Sequence, residues 1–216
     1  MSDLIVTVDG PSGTGKSTVS RAVASRVGLP HLDTGAFYRA ATLAVIREEV
    51  DPDDDRAVAH VVDHAVLDQE EGEMLLDGVN VSKEIRGPKV TATVSRVAAN
   101  PEVRRILVSH QRQWVARHGG RAVVEGRDIG SVVFPDATLK VFLDARPEVR
   151  AGRRAVETGD DHASVLEDLE RRDRFDSSRT ASPLTVPEGA VVVDTSDLSF
   201  DEVVERVVEL VRGRSV

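Results

Sequence analysis

Short apolar runs, separated by longer stretches with helical spacing, set the pattern of this chain. Candidate strands lie at residues 4–8, 30–32, 122–125, 139–143 and 190–193. The first and last are nearly continuous in apolar residues, which is typical of strands covered on both faces. Strands that alternate with helical segments indicate βαβ units. The pattern therefore predicts an α/β fold with a parallel five-stranded sheet flanked by helices.

The helical segments carry start and stop signals. Apolar residues after Lys16 keep helical spacing until Gly28, and glycine favours the left-handed conformation that ends many helices. Further helices are predicted to begin where a cap residue or a proline precedes a periodic stretch. These starts are at Asn100–Pro101, at Pro147, and at Ser199 with Glu202.

Two stretches break this alternation. Residues 51–86 begin with an acidic loop and contain Asp77-Gly78, a pair that favours a tight hairpin turn. Residues 151–183 are rich in arginine and mostly helical in pattern. Neither stretch has enough large apolar residues for a core of its own. We therefore interpret both as insertions on a single domain that spans residues 1–216.

The segment after the first predicted strand matches the phosphate-loop pattern G-x-x-x-x-G-K-[ST] and opens into a helix. This setting is the one such a loop requires, and it disfavours a chance glycine loop. Glycine lets backbone amides approach phosphate oxygens, and the helix N-terminus completes an anion site. Lys16 can then reach the β- and γ-phosphates, and the Ser17 hydroxyl can ligate magnesium. The predicted ATP-binding residues are Gly10, Pro11, Ser12, Gly13, Thr14, Gly15, Lys16, Ser17 and Thr18.

A phosphate loop alone does not separate kinases from GTPases or motor ATPases. The chain has no Asn-Lys-x-Asp guanine-reading signature and no apolar strand that ends in Asp-Glu. Asp144 follows the strand at 139–143, where it is either a metal-side acid or a strand-end turn residue. The small size of the chain, 216 residues, favours a metabolite kinase.

The segment Asp33–Arg39 follows the second predicted strand and combines an acid, a hydroxyl, an aromatic ring and an arginine. Carboxyl ends of parallel strands face the same crevice, so we expect this segment near the phosphate loop. Tyr38 is the only tyrosine in the chain. Packing in the core is the alternative for Phe37 and Tyr38, because aromatic side chains usually owe their position to burial.

Two further clusters combine arginine with aspartate. Arg127-Asp128 stands between glycines after the third predicted strand. Charged groups at such a place need partners, and either a substrate or a structural ion pair would supply them. In a continuing helix, Arg172, Asp176 and Arg179 share one face because their spacing is four and then three. A solvated charged helix is the alternative for this second cluster.

Arginine dominates the basic residues, since only four of the 28 are lysine. The planar fork of guanidinium donors suits phosphate. Compositional drift is the alternative for any single arginine. The local density nevertheless favours a mobile lid over phosphates, formed by the last cluster together with Arg150, Arg153 and Arg154.

Composition excludes several classes of protein. Apolar residues make up 40% of the chain, charged residues 30%, and cysteine is absent. No apolar run approaches the ~20 residues of a membrane span. The net charge of −9 argues against a protein that coats nucleic acid. The N-terminus shows no export signal, so we expect a cytoplasmic protein.

Taken together, these residues resemble the bacterial cytidylate kinases over nearly the whole chain. The matching segments are residues 8–18, 32–40, 81–90, 95–104, 124–145 and 172–183. The resemblance implies the fold of a P-loop nucleoside monophosphate kinase, with an acceptor-binding insertion at about 33–100 and a lid at about 150–183. It also implies transfer of the γ-phosphoryl group of ATP to CMP, and to dCMP, in the presence of Mg²⁺.

The resemblance further implies an acceptor-binding set, made up of Asp33, Thr34, Tyr38, Arg39, Ser95, Arg104, Arg127, Asp128, Arg172, Asp176 and Arg179. Within it, Ser95, Arg104 and Asp128 would read the cytosine. Arg172 and Asp176 would contact the ribose, and Tyr38 would pack near the nucleotide. Arg39 and Arg127 would hold the acceptor phosphate, with Arg179 also in the phosphate-binding group. Catalysis would rest on charge neutralisation by Lys16, Arg127, Arg172 and Arg179.

Three positions depart from the family pattern. Phe175 stands where many relatives have an arginine, so that lid donor is absent or replaced by Arg174. Thr34 replaces a common serine and keeps the hydroxyl. Ser17 stands where glycine is frequent, so metal ligation by its hydroxyl is not something the family pattern implies.

Two other functions stay open at this point. One is another small-metabolite kinase of the same fold, of the shikimate or adenylate kinase type. The other is a non-catalytic nucleotide-sensing protein that uses the phosphate loop as a switch. The sequence shows no heptad pattern or large apolar stripe, so we expect a monomer whose partners are small molecules rather than nucleic acids or membranes.

Overall fold

The computed structural model describes residues 3–159, 161–178 and 182–214. The strands are β1 (Leu4–Asp9), β2 (His31–Asp33), β3 (Leu67–Glu70), β4 (Glu73–Leu76), β5 (Val79–Asn80), β6 (Arg121–Glu125), β7 (Leu139–Asp144) and β8 (Val191–Asp194). The helices are α1 (Lys16–Val27), α2 (Thr34–Arg47), α3 (Asp55–His64), α4 (Pro88–Val97), α5 (Pro101–Arg117), α6 (Pro147–Thr158), α7 (His162–Ser178) and α8 (Phe200–Arg212).

Five strands form one sheet in the order β2-β6-β1-β7-β8. Strand β1 pairs in parallel with β6 and β7, and β7 pairs in parallel with β8. Each strand lies within one residue of its predicted position. In β1, Val6 and Val8 are both fully buried, as expected for a central strand of a parallel sheet. The predicted α/β fold with a five-stranded parallel sheet is confirmed.

The chain divides into two compact units. Unit 1 comprises residues 1–31 and 118–216, and unit 2 comprises residues 32–117. In unit 1, α1 and α8 pack together over a core of valine and leucine from the sheet. Helix α8 turns one valine-rich face to that core, at Val203, Val204, Val207, Val208 and Val211.

The predicted helix boundaries are confirmed. Gly28 ends α1 in the left-handed conformation, with φ of 66°. The side chain of Asn100 accepts two backbone N–H groups at the start of α5. Pro147 opens α6, and Ser199 and Glu202 form a reciprocal capping box before α8.

Unit 2 combines α2 to α5 with a small antiparallel sheet, β3-β4-β5. The predicted hairpin turn is confirmed at Asp77-Gly78, where both residues have positive φ, 52° and 77°, as a type I′ turn requires. A second positive-φ pair, Glu71-Gly72, joins β3 to β4. Sequence reasoning misses this turn because glutamate is not one of the residues enriched in the left-handed region.

Helices α6 and α7 form a helical hairpin within unit 1. Its core is small, with Ala151, Val165 and Leu169 buried. The prediction that residues 151–183 are mostly helical is confirmed for the part that is described. None of the described helices is both long enough and apolar enough to cross a membrane.

The capping box of α8 gives a test of the local energetics. Replacing Ser199 with alanine removes the acceptor for the Glu202 N–H and should lower the free energy of unfolding by about 1 kcal/mol. Urea denaturation measures this loss. The matched control is Ser25→Ala at an exposed position inside α1, which should change stability by less than ~0.5 kcal/mol. Equal effects of the two substitutions would contradict the assigned cap.

Candidate functional site

The phosphate loop of unit 1 runs from Gly10 to Gly15, between β1 and α1. Gly10 has φ of 145°, and a Cβ at this position would lie 2.0 Å from the carbonyl oxygen of Leu143. Only glycine fits there. Gly15 is the N-cap residue of α1 and supplies no side-chain cap. No cap side chain therefore accepts hydrogen bonds from the first N–H groups of α1, and these groups can bind an anion.

Lys16 is buried beside this loop, with its residue only 6% exposed. Its Nζ donates to the carbonyl oxygen of Pro11 at 2.5 Å and to Thr14 Oγ1 at 3.4 Å. Burial, and next the charge of Arg127, lower the pKa of Lys16. The same two causes, in the same order, lower the pKa of Arg172. These cations disfavour one another, so the residues present fit an anion such as the phosphates of a nucleotide.

Arg127 connects the phosphate loop to α7. Its Nη2 donates to Ser12 Oγ at 2.8 Å, and its Nε donates to Asp176 Oδ2 at 3.3 Å. Asp176 is buried on α7. The structure thus brings together Ser12, Arg127 and Asp176, which the sequence analysis places in three separate predicted clusters.

A second contact between the phosphate loop and α7 was not predicted. Arg150, on α6, donates to the carbonyl oxygen of Ser12 at 3.0 Å and forms an ion pair with Asp173. Asp173 also accepts the N–H of Ser12, at 3.3 Å. The sequence contains one signal for this contact. Asp173 lies three residues before Asp176, so the two share one face of α7.

Asp9, the last residue of β1, is a further residue that sequence reasoning missed. Its two carboxylate oxygens accept the N–H groups of Ile129 and Gly130, each at 2.8 Å. This fixes the turn that follows Arg127-Asp128. Burial raises the pKa of Asp9 to about 6, against the lowering effect of the two backbone hydrogen bonds. The only sequence signal was its place directly before Gly10.

Ser17, the predicted metal ligand, is exposed at the start of α1. Its hydroxyl donates to Glu125 Oε2 at 2.8 Å. Burial alone would raise the pKa of Glu125, but hydrogen bonds from His31 and Ser17 and the nearby charges outweigh it and lower that pKa. An exposed hydroxyl beside an ionised carboxylate is an oxygen donor set of the kind Mg²⁺ prefers. The residues present therefore fit this cation.

In unit 2, Arg104 and Tyr38 lie together. The guanidinium carbon of Arg104 stands 5.2 Å from the centroid of the Tyr38 ring, within the range of a cation–π contact. Arg104 is 4% exposed, and its Nη1 donates to the carbonyl oxygen of Ala98 at 3.0 Å. Phe37, by contrast, belongs to the core, so the packing alternative holds for it.

Other predicted residues of unit 2 have partners within the unit. Arg39 Nη1 donates to Thr91 Oγ1 at 3.0 Å and to the carbonyl oxygen of Ile85 at 3.2 Å. Asp33 is the N-cap of α2, where its side chain accepts a backbone N–H. The expected proximity of Asp33–Arg39 to the phosphate loop stays a prediction.

The remaining candidates divide by position. Thr34 is buried at the start of α2, Ser95 is half-buried on α4, and Asp128 is buried after β6. Arg179 lies outside the described residues. Asp144 accepts the N–H of Ala145, as a residue that turns the chain at the end of a strand would. Arg174 forms an exposed pair with Glu170 on the same helix.

The comparisons with known proteins agree in one family. The model of the family described as cytidylate kinase matches residues 6–213. A cytidylate kinase from Rhodococcus opacus (strain B4) is 50% identical over 223 residues, which cover 99% of this chain and 97% of the relative. A cytidylate kinase from Corynebacterium glutamicum is 51% identical over 221 residues, which cover 97% of this chain and 95% of the relative.

Solved structures support the fold alone. An uncharacterized protein from Eubacterium ventriosum matches with a TM-score of 0.56 and 9% identity, over 97% of this chain and 98% of that chain. The protein TT1252 from Thermus thermophilus matches with a TM-score of 0.52 and 21% identity, over 100% of both chains.

The buried carboxyl of Asp9 predicts a pH dependence of stability. Its pKa is about 6 in the folded chain against an ordinary value of 3.8, so the folded state binds more protons between these values and stability falls as the pH rises. Relative to Asp9→Asn, the wild type should lose about 2 kcal/mol of unfolding free energy between pH 4 and pH 7. Urea denaturation of both proteins across this range measures the difference. Parallel pH profiles would contradict the assignment.

Proposed function

Because the chain belongs to the cytidylate kinase family, we propose that it transfers the γ-phosphoryl group of ATP to CMP, and also to dCMP. The observation that carries this proposal is the cation group of Lys16, Arg127 and Arg172 beside the uncapped N-terminus of α1. Buried and half-buried cations that disfavour one another suit a polyphosphate. A neutral or cationic ligand would leave that repulsion in place.

The chemistry needs positioning and charge neutralisation more than proton transfer. A phosphate monoester carries most of its second negative charge near neutral pH, since its second pKa is about 6. The attacking oxygen of the acceptor is therefore already a nucleophile, and no strong general base is required. Lys16, Arg127, Arg172 and Arg179 are the residues we propose to offset the charge on the transferred group.

Magnesium belongs to this proposal through Ser17. When bound, the cation neutralises negative charge on the β- and γ-phosphates. The Ser17 hydroxyl oxygen is the atom we propose to hold it, next to the carboxylate of Glu125. Backbone N–H groups of residues 10–18 would bind the phosphates themselves.

Recognition of the acceptor is proposed for the remaining members of the acceptor-binding set. Arg104 is proposed to bind the cytosine, because the Ala98 carbonyl and the Tyr38 ring hold its guanidinium in place. Ser95 and Asp128 complete the proposed base-reading group, with Arg172 and Asp176 toward the ribose. The acceptor phosphate is assigned to Arg39 and Arg127. Asp33 and Thr34 are the other proposed members of the acceptor-binding set.

We also propose that residues at about 150–183 act as a lid and that residues at about 33–100 form the acceptor-binding insertion, within one kinase domain. The contacts of Arg150 and Asp173 with Ser12 support the lid, since they link α6 and α7 directly to the phosphate loop. A closed lid excludes water and so limits hydrolysis of ATP. The proposed enzyme is a cytoplasmic monomer that acts on free nucleotides, not on nucleic acids or membranes.

An acceptor panel tests the proposed function. With ATP and Mg²⁺, coupled detection of ADP should show turnover with CMP and dCMP that exceeds turnover with AMP, UMP or shikimate. A preference for shikimate or AMP would favour another small-metabolite kinase. Tight ATP binding without turnover of any acceptor would favour a nucleotide sensor.

The role of Lys16 predicts a large loss on substitution. Lys16→Ala removes the buried cation and should lower kcat more than tenfold, a loss above ~1.4 kcal/mol. Steady-state kinetics with saturating ATP and CMP measure it. A variant that keeps more than a tenth of the wild-type rate would rule out this role.

Base reading by Asp128 predicts a selective effect on the acceptor. Asp128→Ala should raise the KM for CMP several-fold more than the KM for ATP, because a contact to cytosine is lost while the phosphate loop is unchanged. The matched control is Asp136→Ala, an exposed position with the same change of charge, which should leave both constants near wild type. Equal increases for the two substrates in Asp128→Ala would count against a base-reading role.

A further inference from the structure

A chain of polar side chains runs behind the phosphate loop in unit 1. Ser17 Oγ donates to Glu125 Oε2 at 2.8 Å. On the other side of the carboxylate, His31 Nε2 lies 3.2 Å from Glu125 Oε1. The side chains of His31 and Glu125 are 8% and 3% exposed. His31 Nε2 also lies 3.0 Å from Ser20 Oγ.

The positions of the hydrogens follow from the donor capacities. Ser20 Oγ donates its single hydrogen to the carbonyl oxygen of Lys16 at 2.7 Å, so toward His31 it can only accept. His31 Nε2 therefore carries a hydrogen in either protonation state of the ring. The same nitrogen lies 3.2 Å from Glu125 Oε1 as well as 3.0 Å from Ser20 Oγ, so His31 packs against one oxygen of the carboxylate and restricts its orientation.

The orientation of Glu125 in turn decides the orientation of the Ser17 hydroxyl. A carboxylate only accepts, so the hydrogen of Ser17 is directed to Glu125 Oε2 and inward. The lone pairs of Ser17 Oγ are left for a ligand on the exposed side of the residue. A hydroxyl whose hydrogen is held by a carboxylate is also a more basic ligand for a hard cation.

We propose that His31 is a positioning residue for magnesium: through Glu125 it holds the Ser17 hydroxyl in the orientation that binds the cation of a magnesium–nucleotide complex. The inference rests on the proposed function only in that the ligand is a nucleotide with Mg²⁺. It applies to this chain because residue 17 is serine; glycine at this position would give Glu125 no hydroxyl to orient.

A purely structural role is the competing explanation. His31 and Glu125 also join β2 to β6, so their loss could weaken the unit without any effect on the metal. The two roles differ in one observable. A positioning role affects the gain in nucleotide affinity that Mg²⁺ provides, whereas a structural role affects affinity with and without Mg²⁺ alike.

The experiment is calorimetric titration of ADP into the full chain, once with Mg²⁺ and once with EDTA. In the wild type, Mg²⁺ should increase the affinity for ADP. His31→Ala should reduce that increase roughly tenfold, as is usual when the partner of a metal-binding group is lost, and leave the affinity in EDTA unchanged. Ser17→Gly should remove the same increase, and the double variant should lose no more than Ser17→Gly alone.

Two controls keep the result interpretable. His60→Ala, an exposed position on α3 in unit 2, should behave as wild type in both titrations. His31→Gln is the rescue control, because its side-chain amide can donate in place of the ring N–H; this variant should restore most of the Mg²⁺-dependent increase that His31→Ala loses. Circular dichroism and thermal unfolding establish that each variant is folded.

The proposal is overturned if His31→Ala weakens ADP binding equally with Mg²⁺ and with EDTA, or if Ser17→Gly keeps the full Mg²⁺-dependent increase. Neither result depends on turnover of an acceptor. Failure of the proposed function would instead appear as wild-type protein that binds ADP with Mg²⁺ but does not phosphorylate CMP.

Discussion

A buried ammonium group next to a guanidinium group is stable only when acceptors or anions surround both. Lys16 and Arg127 impose this constraint on unit 1, and the nearby polar structure meets it. The carbonyl of Pro11 accepts from the ammonium, while Ser12 and Asp176 accept from the guanidinium. The loop, α7 and the turn after β6 are therefore arranged around charges whose natural partner is a phosphate.

The acidic residues near the phosphate loop each bind different groups. The carboxylate of Asp9 accepts two backbone N–H groups and so fixes the turn after β6. Asp173 pairs with Arg150 and Asp176 with Arg127, which ties α7 to the loop. Glu125 pairs with His31 and accepts from Ser17. Each carboxylate thus has its own partners, and Lys16 keeps only loop oxygens as hydrogen-bond acceptors among the contacts described.

Local signals made most of the fold predictable. The strands follow from apolar runs, the helix ends from Gly28, Asn100 and Ser199, and the phosphate loop from a contiguous motif. What could not be predicted depends on pairs far apart in the chain. Ser17 and Glu125 are separated by 108 positions, and Ser12 and Asp173 by 161. Arg104 carried no local signal at all; only the family resemblance distinguished it from an ordinary helix residue.

The contact between Gly10 and Leu143 has a consequence for protein engineering. A Cβ at position 10 would overlap a backbone oxygen of β7, and backbone atoms cannot be trimmed by substituting a side chain. The segment Gly10–Ser17 therefore cannot be transplanted into another protein by itself. A graft of this nucleotide-binding module into another scaffold would have to carry β1, the loop and α1 together with β7 in its native register, since the neighbouring strand forms one wall of the loop.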